Sequence, residues 1–190
     1  MLVYGIAQNG RASDKRNRPF LPAPQTIAAT RRWVFIHLSS LDRLDGGHRL
    51  DAFEADESVM ARLHPEITTR AMISPELRSP PKTWSLFTWL NNGGIVMDWL
   101  MIGVDPVDPS VERVPTQLRS VPELAENFRL SRTHLTRKLR EAEVIGSIGW
   151  EGSRGRSVMW ISPEFLREYH TTQAYKLSII DAACERLGLR

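Results

Sequence analysis

The chain has 190 residues, 42% of them hydrophobic, which suffices for one medium core or two small ones. Lysine and arginine number 25 against 22 aspartates and glutamates, a net charge of +3 that excludes a uniformly basic surface and leaves nucleic-acid recognition to local placement of arginine. The single cysteine, Cys184, excludes an internal disulfide and a cysteine-based metal cluster, and fits a reducing, cytoplasmic setting.

Met1 to Ala7 turns polar too early to form the apolar stretch of a secretory signal. Residues 1–20 read as a flexible basic tail, because Gln8 to Arg18 carries no apolar period. Residues 21–104 read as a helical region. Within it, Gln25 to Leu44 places Ile27, Trp33, Val34, Ile36, His37, Leu38 and Leu41 on a helical pattern. His37 there is a core histidine rather than a ligand, since no second metal-binding side chain stands at suitable spacing beside it. Asp45-Gly46-Gly47-His48 breaks the pattern, and Ala55-Asp56-Glu57-Ser58 starts a second helix through Val59, Met60 and Leu63 toward Pro65.

After Ser79-Pro80-Pro81, Trp84 to Val104 is the most apolar window of the chain. Asn91-Asn92-Gly93-Gly94 and Asp98 would be costly in hydrocarbon, so the window predicts a pair of buried helices and no membrane span. Its tryptophans and methionines suit either a core or the wall of a pocket for a small apolar effector. Core is the better fit, because large apolar side chains mostly mark cores. The proline- and acid-rich run at 105–113 reads as a linker.

Residues 114–162 carry the most specific pattern. Val114 to Arg119 predicts a short strand. Ser120 precedes Val121-Pro122-Glu123, a capping box with proline in the first turn of a helix that presents Leu124, Ala125 and Phe128. Ser131 starts a second helix, on which Leu135, Leu139 and Ala142 form one buried stripe. The remaining face is Arg132, Thr133, His134, Thr136, Arg137, Lys138 and Arg140. From Arg129 to Arg140 there is no acidic residue, so the helix forgoes i,i+4 pairing within that run. Gly146 ends it. Ile148 and Trp150 then alternate into a strand, a glycine-flanked turn carries Arg154, and Arg156 to Ile161 returns as its partner.

The run LAENFRLSRTHLTRKLREAEVIGSI followed by this hairpin resembles the winged helix-turn-helix domain of bacterial transcription regulators, MarR-like or related. The resemblance covers a quarter to a third of the chain. It implies a mainly α fold with a small β-wing (α+β), a recognition helix Arg132–Glu143 in the major groove of double-stranded DNA, and a wing Trp150–Val158 on flanking DNA. By the same resemblance Arg132, Thr133, His134, Thr136 and Arg137 match the base-reading face, Ser131 and Lys138 match phosphate contacts, and Arg154 and Arg156 match the wing. One position departs from the family pattern. Arg129 stands where the turn often holds glycine, which requires either a left-handed arginine or a longer turn.

In residues 163–190, Ser162-Pro163-Glu164 starts a long terminal helix. Its stripe of Phe165, Leu166, Tyr169, Leu177, Ile180, Ala183, Cys184 and Leu187 is more apolar face than a small winged domain covers. Two readings stand open: burial against a second subunit in a homodimer, which the resemblance favours, and packing back on the N-terminal helices. No grouping of nucleophile, base or metal ligands emerges, since His48 with Asp51, His64 with Glu66 and His170 with Glu168 are isolated pairs, and no phosphate-binding glycine loop is present. The expectation is a sequence-specific DNA-binding transcription regulator, with no catalytic residue, cofactor or metal. The alternatives are a replication or partition protein using the same module, a winged module that binds protein, and an enzyme with an unrecognised site.

Overall fold

The structure, a computed structural model, describes residues 5–10, 19–88, 93–104 and 111–190. Among the described residues helix dominates and two small antiparallel sheets accompany it, an α+β composition. The chain forms two compact units, Met1–Ser74 with Lys176–Arg190, and Pro75–Tyr175. The division near residue 104 expected from composition therefore falls at Ser74–Pro75. Residues 105–110 of the expected linker lie outside the described residues. No helix among the described residues is long and apolar enough to cross a membrane.

In the first unit, β1 (Ala7–Asn9) pairs antiparallel with β2 (Phe20–Pro22). Part of the stretch read as a tail is thus a strand, while residues 11–18 lie outside the described residues. Its polar composition hid it, because the ladder is held by backbone, and the Ala23 amide and Thr26 hydroxyl both donate to the Ile6 carbonyl, at 3.0 and 2.7 Å. Helix α1 (Pro24–Asp45) begins with proline at its first position and ends at Gly46, whose φ of 76° is the left-handed conformation glycine accepts without penalty. Two further helices follow, α2 (Arg49–Ala55) and α3 (Ser58–Ile73), the latter continuing through Pro65. Val34, Leu38 and Leu41 of α1, Phe53 of α2 and Val59, Leu63 and Ile67 of α3 bury one core with Ile180, Ala183 and Cys184 near the chain's end. The terminal stripe is consumed by its own chain. Of the two readings left open for the stripe, the structure shows packing on the N-terminal helices: Ile180 is fully buried there, and Leu177 and Leu187 are partly buried beside it. Burial also pushes the Cys184 thiol up to about 11, leaving it a packing group at neutral pH.

The second unit runs through α4 (Pro75–Arg78), α5 (Lys82–Thr88), α6 (Gly93–Met101), β3 (Val114–Pro115), α7 (Val121–Asn127), α8 (Arg132–Val144), β4 (Ile148–Trp150), β5 (Met159–Ile161) and the first half of α9 (Pro163–Arg186). Its sheet has the order β3-β5-β4, with Ile161 of the central strand opposite both Val114 and Ile148. The strand expected over Val114–Arg119 is shorter, although Thr116 and Leu118 continue to exchange backbone bonds with Met159 at 2.8 and 2.9 Å. Gly149 lies opposite Trp160, and a Cβ there would stand 2.1 Å from the indole, so only glycine admits the ring. Among the described residues of the Trp84–Met101 block, Phe87, Val96, Met97 and Leu100 are buried in a core with Leu124, Leu135, Leu139 and Met159, and residues 89–92 lie outside the described residues. Glu168 of α9 caps α5 from a distance, accepting from the amides of Thr83 at 2.9 Å and Trp84 at 3.3 Å.

One polar cluster closes the first unit. The Arg49 guanidinium, almost fully buried, donates to Asp42 at 3.1 Å, to Asp45 at 2.6 and 2.9 Å, and to Asp181 at 2.7 and 3.1 Å. Asp42 also accepts from the amides of Arg49 and Leu50, which makes it the cap that α2 lacks locally. Arg49 therefore links α1, α2 and α9 through charge-assisted bonds. Its hydrogen bonds hold the Asp45 carboxyl below the usual carboxylate range. We expect Arg49→Met to destabilise the protein by about 3 kcal/mol at neutral pH. This is the low end for a broken buried pair, because Asp45 and Asp181 keep contact with water. Asp45's own contribution is complete above its ordinary value of 3.8 and is lost as pH falls through the depressed folded value, so the gap between parent and variant should narrow in acid. Urea midpoints at pH 7 and below pH 3 measure both, and an equal gap at the two pH values would contradict the assignment.

Candidate functional site

The exposed face of α8 is set by what its other face buries. Leu135, Leu139 and Ala142 are fully buried as expected, against Leu124 and Ala125 of α7. Ala125 is small enough for the second helix to cross closely. The Ser120 hydroxyl caps α7 by accepting from the Glu123 amide at 3.4 Å, and Ser131 caps α8 by accepting from His134 at 3.4 Å.

Between the helices, Arg129 takes the left-handed conformation with φ 51°. Its amide donates to Glu126 at 3.1 Å and the next amide, Leu130, donates to Ala125 at 2.7 Å, the two bonds of a Schellman motif. The same pair recurs at the end of α8, where Gly146 donates to Glu143 and Ser147 to Ala142, both at 3.0 Å, with glycine in the left-handed place. Of the two geometries open for the turn, the chain adopts the left-handed arginine.

At 3.6 residues per turn, Arg132, Thr133, Thr136, Arg137 and Arg140 fall within one sector of about 140°. All five are exposed and together line a concave surface of about 460 Å³. His134 is half-buried on the flank. Lys138 lies about 100° beyond Arg137, on the far side from Arg132. Its side chain is only 13% exposed and its ammonium donates to Glu141 at 2.9 Å. Arg137 reaches the same carboxylate at 3.9 Å. The basic run therefore does not forgo pairing: Glu141, one residue past it, serves Lys138 at i+3 and Arg137 at i+4. The Lys138 hydrogen bond, aided by the charges of Lys138 and Arg137, holds Glu141 below the usual carboxylate range.

The two hairpin arginines differ. Arg156 is exposed and has no ion-pair partner among the described residues, whereas Arg154 donates to Glu143 at 2.8 Å. The same Glu143 oxygen accepts from the Trp150 indole at 2.7 Å, so one carboxylate at the end of α8 ties the strand and the tip of the hairpin. Val121, Thr136, Leu139, Trp150, Arg154 and Gly155 line a small cleft of about 180 Å³ where α7, α8 and the hairpin meet. The structure thus gathers Arg132, Thr133, Thr136 and Arg137 with Ser131 at their head, sets Arg156 on the hairpin, and commits Lys138 and Arg154 to carboxylates. Arg140 joins the exposed sector although the resemblance did not assign it; its position eight residues after Arg132 and four after Thr136 was the available signal. Glu143 carried no such signal, because its partners come from the hairpin.

Among the described residues, no group of three or more histidine, cysteine, aspartate or glutamate side chains is placed to hold a metal ion. His48 and Asp51 meet at 3.2 Å on the open surface. No protein-family model matches this chain, and no curated protein or solved structure compared with it does so either.

Arg129→Gly tests the turn. Removing an L-side chain from the left-handed region relieves about 1–2 kcal/mol, and glycine's extra freedom in the unfolded chain returns roughly 0.5–1 of it. A net gain of about 0.5–1 kcal/mol in chemical unfolding is expected, and a loss would mean that the arginine is held by compensating contacts.

Proposed function

We propose that the helix pair and hairpin form a winged helix-turn-helix module that binds double-stranded DNA, and that the protein is a sequence-specific DNA-binding regulator. The observation that carries this reading is the single exposed sector of α8, in which three arginines and two threonines stand together while the opposite stripe is buried. A helix with that division presents bidentate donors suited to guanine edges and hydroxyls suited to phosphate or base contacts. Arg156 supports it by adding an exposed cation to the hairpin that Glu143 ties to the same helix. Arg132, Arg140 and Arg156 have no ion-pair partner among the described residues, so their charge is available to an anion without breaking an internal pair.

The reading assigns unequal roles to the cations. Arg137 and Arg132 reach bases, Arg140 and Arg156 reach phosphates, and Lys138 and Arg154 chiefly hold the module in shape. A homodimer with two half-sites would need a surface other than the terminal stripe.

Equilibrium binding to duplex DNA across a salt series tests the proposal. Each phosphate neutralised lowers log K by roughly 0.9 per log unit of salt, so the two cations assigned to phosphates, Arg140 and Arg156, give a slope of about −2. Arg137→Ala should cost about 1–3 kcal/mol and relax preference at one base pair, whereas Arg140→Ala should weaken all sequences alike and shorten the slope by about 1. Lys138→Ala should leave the slope unchanged. Binding that ignores salt, or a slope that shortens equally for Lys138→Ala and Arg140→Ala, would refute the assignment.

A further inference from the structure

A groove of about 760 Å³ runs along the second unit between Pro80 with the first turns of α5 and the C-terminal half of α8. Its apolar lining is Leu86, Val144 and Ile145, of which Val144 is 82% exposed and Ile145 47%. Its rim carries Lys82, Arg137, Lys138 and Arg140 against one carboxylate, Glu141. We propose that this groove docks an acidic amphipathic helix of a partner protein.

Charge and shape select that occupant. Four cations and one anion leave a formal excess of three positive charges around an apolar strip, the complement of a helix with leucine-like residues on one face and glutamates beside them. A small molecule is disfavoured because such ligands are held with most of their surface enclosed, and a groove that leaves Val144 this open encloses little. DNA offers no continuous apolar strip to cover Val144 and Ile145. Arg137 and Arg140 line both this groove and the concave sector of α8, so a carboxylate partner in one competes with a phosphate in the other. Only that last clause, mutual exclusion, rests on the DNA reading; the docking does not.

The test uses the full-length protein and a fluorescent synthetic peptide of roughly 16 residues, long enough to hold a helix, with leucine at i, i+4, i+7 and i+11 and glutamate between. A matching peptide with lysine for glutamate is the control. Anisotropy should show binding of the glutamate peptide alone, and the double variant Val144→Ser, Ile145→Ser should weaken it roughly tenfold or more. Both side chains are exposed, and a thermal melt equal to the parent's verifies folding. Failure of the glutamate peptide to bind, equal binding of the lysine peptide, affinity unchanged in the double variant, or displacement by a fatty-acid anion at comparable concentration would each overturn the proposal. Duplex DNA that binds the parent should displace the peptide. Simultaneous binding would remove the exclusion while leaving the docking in place. A protein that binds peptide but no DNA would refute the DNA reading and leave the groove assignment intact.

Discussion

Burial of Leu135, Leu139 and Ala142 fixes the rotation of α8 about its own axis, and the rest of the second unit is built on that rotation. Leu124 and Ala125 share one core with the stripe, together with Phe87 and the sheet residues Ile148, Met159 and Ile161, so a turn of the helix in either direction would drive a charged side chain into apolar packing. The outward sector of arginines is a consequence of this inward constraint. Sequence composition supplies the arginines, but only the buried stripe makes them a surface.

Two glutamates then sort the cations around the helix. Glu141 engages Lys138 and, more loosely, Arg137, while Glu143 engages Arg154 together with the Trp150 indole. These pairs lie partly in water and add little to stability individually. Their effect is positional. They hold the hairpin against the end of α8 and leave Arg132, Arg140 and Arg156 outside any ion pair among the described residues, uncommitted charge in a chain whose net charge is small.

Much of this was legible from residues in local register. The caps at Ser120 and Ser131, the buried stripe of α8, the end of α8 at Gly146 and the helix over Gln25–Leu44 follow from spacing alone, because each depends on neighbours within a few positions. Helix α2 was missed for a physical reason: its buried residues are Phe53 and Arg49, and the arginine is buried by aspartates, one of them 132 residues away, which no apolar period can reveal. β1 was missed because its hydrogen bonds go to a strand with no apolar alternation of its own. In the candidate site, the exposed arginines were readable from the helix repeat. The commitment of Lys138 and Arg154 was not: Lys138 is withdrawn by burial beside a carboxylate just past the run considered, and Arg154 by a partner eleven positions away across the hairpin. The two readings of the terminal stripe had the same origin, since periodicity shows that a face is buried but not against what.

The first unit is discontinuous in the chain, and that has a consequence for how the protein is made. Its core needs Ile180, Ala183 and Cys184, and its buried guanidinium needs Asp181, all of which follow the Pro75–Tyr175 segment in the chain. The segment Pro75–Tyr175 carries all the elements of its own core and is synthesised before them. At roughly 5–20 residues per second, the N-terminal helices wait several seconds with Val34, Leu38 and Leu63 unclosed while the module behind them is completed. Vectorial synthesis thus reverses the order of the two units: Pro75–Tyr175 is finished before the unit whose first helices precede it. During that interval the exposed apolar faces of α1 and α3 are the natural targets of chaperones, and their closure is limited by a long-range contact rather than by helix formation.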